Sequence, residues 1–353
     1  MTGSLRILGL TAYPRLVASA RVRVANYAPF LRPDGIDLEF CPTLTAKDYR
    51  LLASKVSPAR KVATLAAITA RTASHHPPQH DLALVHRLRC LTPLPGLDPP
   101  THLDVYDLDD ALFLGSPADV NRRFQWVKQE ARRSVACMRR ARLVIAGNCY
   151  LASRASEYAA RVEVIPSVVD PDRQPIRQHA RVDVVRIGWI GSPTTSAYLA
   201  PLLPVFARLN RSKAVAKLIV VGADTGVREP WIEHYPWALE EEPQMLASFD
   251  IGVMPEPDTN WAYGKCGYKT LQYFSAGVPA VVSPVGVAAE LVADGRGVAA
   301  STADEWQTAL LRLIRCWDER VERGARARAF AEREYSYQRW APELAGLLRS
   351  LAS

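Results

Sequence analysis

Short runs of aliphatic and β-branched residues alternate along the chain with longer stretches whose apolar positions recur at helical spacing. In the first half the runs are LRILGL (5–10), IDLEF (36–40), DLALVH (81–86), HLDVYD (102–107), RLVIAG (142–147) and VEVIP (162–166). Helix-favouring stretches lie between them near 20–32, 46–72, 118–140 and 149–160. Strands this short and apolar, alternating with helices, imply a parallel sheet covered on both faces. The helix near 118 has a clear start, with Ser116 at the N-cap and Pro117 at the first helical position.

Residues 166–184 break the pattern: they are polar, rich in proline and without period, and predict an interdomain linker. Alternation then resumes with strands at 184–191, 216–223, 249–255, 279–284 and 297–301. Helices are expected at 194–211, 265–276, 302–334 and 337–352. A chain of 353 residues exceeds one ordinary core. The pattern therefore predicts an α/β protein of two tandem Rossmann-like domains, divided near residue 170. In such sheets ligands bind outside the C-terminal strand ends, so chemistry is sought in the loops after strands.

Composition narrows the class. No apolar run approaches the ~20 residues of a membrane span, and LRILGL is too short for a signal-peptide core. The six cysteines (Cys41, Cys90, Cys137, Cys149, Cys266 and Cys316) are scattered without a C-x-x-C pair. A disulfide scaffold is thereby disfavoured, and a reducing, cytoplasmic setting is expected. Residues 1–170 hold 23 Lys and Arg against 15 Asp and Glu, whereas the remainder holds 21 of each. The basic excess concentrates in 121–142 and around 47–71. It fits a solvated helix face, or peripheral contact with anionic lipid or a phosphorylated acceptor. Nucleic acid is not expected, because the basic stretches lack interleaved aromatics.

Two stretches carry candidate chemistry. DVYDLDDALF (104–113) sets Asp107, Asp109 and Asp110 within four residues after a strand, raising the question of a divalent ion. Asp109 also suits a structural turn into the following segment. The stretch 249–290 holds two successive strand–loop–helix units, whose helix starts offer unpaired N–H groups and partial positive charge to a phosphate. Lys265 and Lys269 add full charges beside the first, near Gly267 and Tyr268. HHPPQH (75–80) is a proline-broken polar loop, read as a surface turn rather than a metal site.

LQYFSAGVPAVVSPVG (271–286) resembles the nucleotide-sugar motif of the two-domain GT-B glycosyltransferases, most closely the retaining family 4 enzymes. VRIGWIGSPTTSAYL (185–199), VEVIPSVVD (162–170) and 18–40 resemble further segments of that family in the same order. The resemblance implies two Rossmann-like domains facing a cleft, the first (1–170) on the acceptor side and the second (171–336) binding the donor. It also implies that the last helix, within 337–353, packs back on the first domain. By the same resemblance catalysis needs no metal or other cofactor, so the three carboxylates fall to the acceptor side. Two departures stand out. Where the family has a pair of glutamates this chain has Gly264 and Gln272, so Asp258 becomes the candidate grip on the sugar, and Gln272 keeps the ribose contact. Where the family has Arg and Lys on the diphosphate, Ser192 and Tyr198 stand.

The expected donor site is thus Gly191, Ser192, Thr194, Asp258, Gly267, Tyr268 and Gln272, with Lys265 and Lys269 neutralising the leaving diphosphate. Asp107 and Asp110 complete the catalytic set, while Arg23, His86 and Asp109 face the acceptor, with Arg21 and Arg87 as neighbours. The expected reaction moves a sugar from a nucleoside diphosphate sugar to a hydroxyl of a small natural product or a lipid-linked glycan, with retention. Two rivals remain open: a nucleotide-sugar 2-epimerase of the same architecture, and a degenerate partner subunit that binds nucleotide without transfer.

Overall fold

The computed structural model describes residues 4–74, 78–98, 100–115, 125–211 and 215–353. The chain divides into two compact units, one formed by 1–167 with 337–353 and the other by 168–336. The expected helix start at Ser116–Pro117 and the first half of HHPPQH lie outside the described residues.

The first unit is built on β1 (Leu5–Thr11), β2 (Ile36–Pro42), β3 (Leu82–His86), β4 (Leu103–Leu108), β5 (Ala141–Ala146) and β6 (Val162–Val164). They form one parallel sheet in the order β2-β1-β3-β4-β5-β6. The order reverses between β1 and β3, and loops leaving these two strands part there. The helix expected over 20–32 is broken by a π-helical turn, Arg21–Ala25, a feature that often marks functional sites. That expected over 46–72 is two helices, Ala46–Ala53 and Pro58–Ser74. Pro58 cannot continue a helix entered from upstream, and Ser54 leaves the first one extended. Helix Tyr337–Ala352 completes this unit: the Tyr337 hydroxyl donates to the Val22 carbonyl at 3.0 Å, and its ring stacks on Phe30 at 4.9 Å.

The second unit holds β7 (Val185–Ile190), β8 (Ala216–Val221), β9 (Ile232–Tyr235), β10 (Ile251–Met254), β11 (Ala280–Val282) and β12 (Gly297–Ala299). Its parallel sheet runs β12-β11-β10-β7-β8-β9, the 3-2-1-4-5-6 order of a Rossmann domain read from the other edge. Alternate side chains feed two cores. Ile187, Trp189, Leu218 and Val220 pack with helices Leu203–Leu209 and Ala303–Arg315. Ile190, Ile219 and Val221 pack with helix Tyr268–Ser275. Strand β9 is invisible in the sequence pattern because IEHY is a polar four-residue edge strand. The long helix expected over 302–334 bends into Ala303–Arg315 and Trp317–Glu334 at Cys316, whose φ and ψ are −100° and 84°.

The segment read as a linker is fastened to the second unit from Val168 onward. Arg177 pairs with buried Asp250 at 2.8 Å, His179 Nε2 meets the Gly277 carbonyl at 2.9 Å, and Arg328 donates to the Pro171 carbonyl at 2.8 Å. Proline content and polarity report a lack of period, not a lack of contacts.

Candidate functional site

In the second unit the switch point lies between β7 and β10, and the loops leaving these strands carry most of the expected donor residues. Strand β7 ends at Ile190, and the N–H of the next residue, Gly191, donates to the Val221 carbonyl at 3.0 Å. The chain then turns: Thr195 N–H returns to the Ser192 carbonyl at 3.0 Å, and Ser192 and Thr194 share a hydrogen bond between hydroxyls at 2.8 Å. Ser192 and Thr194 are exposed.

After β10 the chain passes through Glu256 and Asp258 and the short helix Asn260–Tyr263, capped by Thr259. It enters helix Tyr268–Ser275 through Gly267, which is left-handed at φ +64°. A side chain there would meet Leu291 at 2.6 Å, so glycine is needed for both reasons. The first N–H groups of this helix have no intrahelical acceptor.

The two lysines lie in different surroundings. Lys265 is ion-paired with buried Glu256 and stands over the Tyr198 ring at 4.6 Å. Lys269 reaches back to the other loop: its Nζ lies 4.4 Å from the Trp189 ring centroid and 3.4 Å from Thr195 Oγ1. Among the described residues no carboxylate pairs with Lys269. Burial pulls its pKa down to about 7, Lys265 pushing the same way and Glu256 opposing. Gly191 makes the approach feasible, since a Cβ there would sit 2.4 Å from the Trp189 ring and 2.8 Å from Lys269 Nζ.

A pocket of about 490 Å³ adjoins this loop, lined by Gly222, Asp224, His234, Tyr235 and Trp237 among others. Gly222 packs so closely on the Gly191 carbonyl that a Cβ would approach it to 2.3 Å. Trp237 is oriented by its indole N–H donating to Glu242 at 2.6 Å. Thr225 N–H and hydroxyl meet His234 Nε2 at 3.3 and 2.8 Å. The sequence reading missed this pocket because nothing periodic marks 224–248. Its signal was the aromatic density of HYPW (234–237), which spans the end of β9. Asp258 is exposed beside Tyr263, whose hydroxyl pKa it raises by its charge and by a hydrogen bond. Gln272 is buried within the helix.

In the first unit the expected acceptor residues join in one network at the C-terminal ends of β3 and β4. Arg23, carried by the π turn, grips Asp107 with two nitrogens, at 3.1 and 2.5 Å, and donates to the Ile165 carbonyl at 2.7 Å. His86 pairs with Asp107 in the β3–β4 register, its Nδ1 2.6 Å from Asp107 Oδ1 and its Nε2 3.7 Å from Asp109. Arg23, His86 and Asp107 are each at most 3% exposed. Arg87 follows in a left-handed conformation at φ +57°, unusual for arginine. It forks between Asp109, at 2.5 Å, and Asp110. Burial alone would raise both Asp107 and Asp109, but Arg23 and His86 hold the first below the usual carboxylate range, and Arg87 and His86 the second. Arg21 is buried too and donates to the Arg15 carbonyl at 3.0 Å. All three carboxylates of DVYDLDDALF thus face arginines, and among the described residues no group of three His, Cys, Asp or Glu side chains is placed to hold a metal ion.

Two Rossmann-like domains, the second with a lysine-bearing loop pair at its switch point, define the GT-B fold. Residues 185–316 match the family Glycosyl transferases group 1, so the body of the second unit is a domain of that type. Solved structures agree on the fold over the whole chain. HepE of Anabaena, in complex with UDP and glucose, is 15% identical over 99% of this chain and 100% of its own, with a TM-score of 0.64. WaaG, a glycosyltransferase involved in lipopolysaccharide biosynthesis, is 14% identical over 98% and 99%, with a TM-score of 0.64. Sucrose-phosphate synthase from Thermosynechococcus elongatus is 12% identical over 98% and 99%, with a TM-score of 0.70. No curated protein matches the chain in sequence.

Proposed function

We propose that the protein is a retaining, metal-independent glycosyltransferase that takes its sugar from a nucleoside diphosphate donor and passes it to a hydroxyl. The observation that carries the reading is Lys269: a cation without a carboxylate partner among the described residues, beside a helix N-terminus and the glycine turn after β7. A diphosphate there would meet that charge, the orphan N–H groups of the helix and the hydroxyls of Ser192, Thr194 and Thr195. Lys265, already paired with Glu256, is the lesser contributor. Electrostatic stabilisation of the leaving diphosphate is the main demand of the reaction, and these groups meet it without a metal. The base stacks on Trp237 in the adjoining pocket, and uridine is the first base to test because HepE is seen with UDP and UDP-glucose.

Asp258 and Gln272 contact the sugar and ribose. The leaving diphosphate assists front-face attack by the acceptor hydroxyl. On the acceptor side Arg23, Asp107 and His86 act by holding the ends of β3 and β4, since they are bonded to one another and to the Ile165 carbonyl. Asp109, Asp110 and Arg87 supply the polar rim. The epimerase alternative needs free acid–base carboxylates, and the candidates are held by arginines.

The test is a thermal-shift screen of UDP, GDP, ADP and dTDP with and without Mg²⁺ or Mn²⁺, followed by transfer assays on the wild type and Lys269→Ala. Stabilisation by one nucleotide without metal, and collapse of turnover in the variant, are the expected results. Stabilisation only with metal overturns metal independence. Nucleotide binding without transfer to any hydroxyl acceptor supports the partner-subunit rival.

A further inference from the structure

Helices Ala46–Ala53 and Pro58–Ser74 differ from the rest of the first unit in how little they bury. The first buries no residue and the second only Ile68 and Thr72. At 100° per residue, Val62, Ala73, Ala66, Ala59, Ala70 and Ala63 fall, in that angular order, within an arc of about 100° on the longer helix. All six are exposed, Val62 at 65%. A solvent-facing arc with no polar side chain is the reverse of the usual amphipathic arrangement.

Charge makes the second observation. Residues 46–74 hold Lys47, Arg50, Lys55, Arg60, Lys61 and Arg71 against Asp48 alone. Arg71 pairs with Asp48 at 2.7 Å, and among the described residues none of the other five has an ion-pair partner. Elsewhere in this unit Arg6, Arg23, Arg87, Arg133, Arg142 and Arg154 are paired. Five of the eight surplus charges of residues 1–170 therefore fall within 46–74, Lys55 lying in the connection between the two helices.

We propose that the helix pair Ala46–Ala53 and Pro58–Ser74 is a docking surface for an anionic lipid bilayer, with Val62 and the alanine arc seated at the headgroup boundary and the exposed Lys47, Arg50, Lys55 and Arg60 on lipid phosphates. Three alternatives fit less well. A second copy would set five unpaired cations against five more. RNA would call for stacking aromatics and hydrogen-bonding side chains, which the exposed arc lacks. Insertion across the bilayer is excluded for this helix, since no helix among the described residues is long and apolar enough to cross a membrane. The helix lies on the surface, held by charge first and by shallow apolar burial second. This goes beyond the donor-site reading and does not depend on it.

Co-sedimentation with vesicles tests the proposal, using phosphatidylglycerol–phosphatidylcholine mixtures against pure phosphatidylcholine at low and moderate salt. The wild type is expected to bind the anionic vesicles at least tenfold better, and less well as salt rises. Each basic side chain at such a surface is worth about a fivefold factor, so Arg50→Gln, Lys55→Gln and Arg60→Gln, all at exposed positions, together should weaken binding on the order of 100-fold. Val62→Asp should weaken it independently. Arg132→Gln with Arg139→Gln, which removes exposed charge elsewhere in the basic half, should leave it unchanged. Unaltered circular dichroism and melting establish that each variant is folded. Four results overturn the proposal: no preference of the wild type for anionic vesicles; equal loss in the control variant; a concentration-dependent dimer abolished by Val62→Asp without vesicle binding; or binding of polyuridylate without vesicle binding.

Discussion

If Lys269 neutralises the donor diphosphate, pH alone should weaken the donor before any residue is changed. The ammonium is drawn down to about 7 by burial, reinforced by Lys265 and partly offset by Glu256. The bound diphosphate favours the charged form and lifts that value again. Below pH 7 the cation is already present in the free protein. Above it, binding must first protonate the lysine. Donor affinity should therefore be flat near pH 6 and fall above about 7, by up to about tenfold per pH unit and roughly 10- to 60-fold in all by pH 9 for an interaction of about 1.5–3 kcal/mol. Lys269→Met removes a charge-assisted hydrogen bond worth about 1.5–3 kcal/mol. At pH 6 the variant should bind about 10- to 150-fold more weakly, and its affinity should not vary with pH, so the two proteins converge at high pH. The assay is titration calorimetry with an intact nucleoside diphosphate sugar, whose phosphates do not titrate in this range. Two buffers of different ionisation enthalpy should reveal uptake of roughly 0.4–0.85 proton at pH 8 in the wild type and none in the variant. A flat wild-type profile, or a slope that survives in Lys269→Met, would refute the assignment.

Four further outcomes follow from the same geometry. Gly191→Ala forces a methyl onto the Trp189 ring and Lys269 Nζ; it should lower stability by about 1–3 kcal/mol in urea denaturation and weaken the donor by displacing the lysine. Removing one member of the buried Arg23–Asp107 pair should cost about 3–5 kcal/mol, whereas Arg23→Met with Asp107→Leu should cost much less than the sum of the singles. Asp107 and Asp109 have depressed pKa values, so their contribution is fully present above the ordinary carboxylate range and lost as pH falls from that range through their lowered folded values; acid unfolding monitored by circular dichroism should begin later in Arg87→Lys than in Arg87→Ala. Trp237→Ala should weaken nucleotide binding by the ~1–3 kcal/mol typical of base–aromatic stacking, while leaving affinity for inorganic diphosphate unchanged.

The order of strands and helices can be read from the chain because burial on both faces demands apolar runs, and a helix reveals itself every three or four residues. That is why β1 to β8 and the paired units around 249–290 were visible, and why IEHY, a short edge strand with one buried and three half-buried residues, was not. Gly191, Gly267 and the two lysines stand out in the sequence as residue types suited to a phosphate. Their division of labour does not. Lys265 and Lys269 are four residues apart, yet one is neutralised by Glu256 and the other rests on Trp189 with no carboxylate among the described residues.

Local pattern therefore determined the α/β class and the loops where chemistry gathers, since periodicity and chain turns depend on neighbouring residues. Tertiary structure decided which charges are already satisfied. Arg23 meets Asp107 across 84 positions, Lys269 meets Thr195 across 74, and Arg87 takes the two aspartates that looked like a metal site. Such pairings are set by the distance between strand ends in space, a quantity that no spacing along the chain encodes.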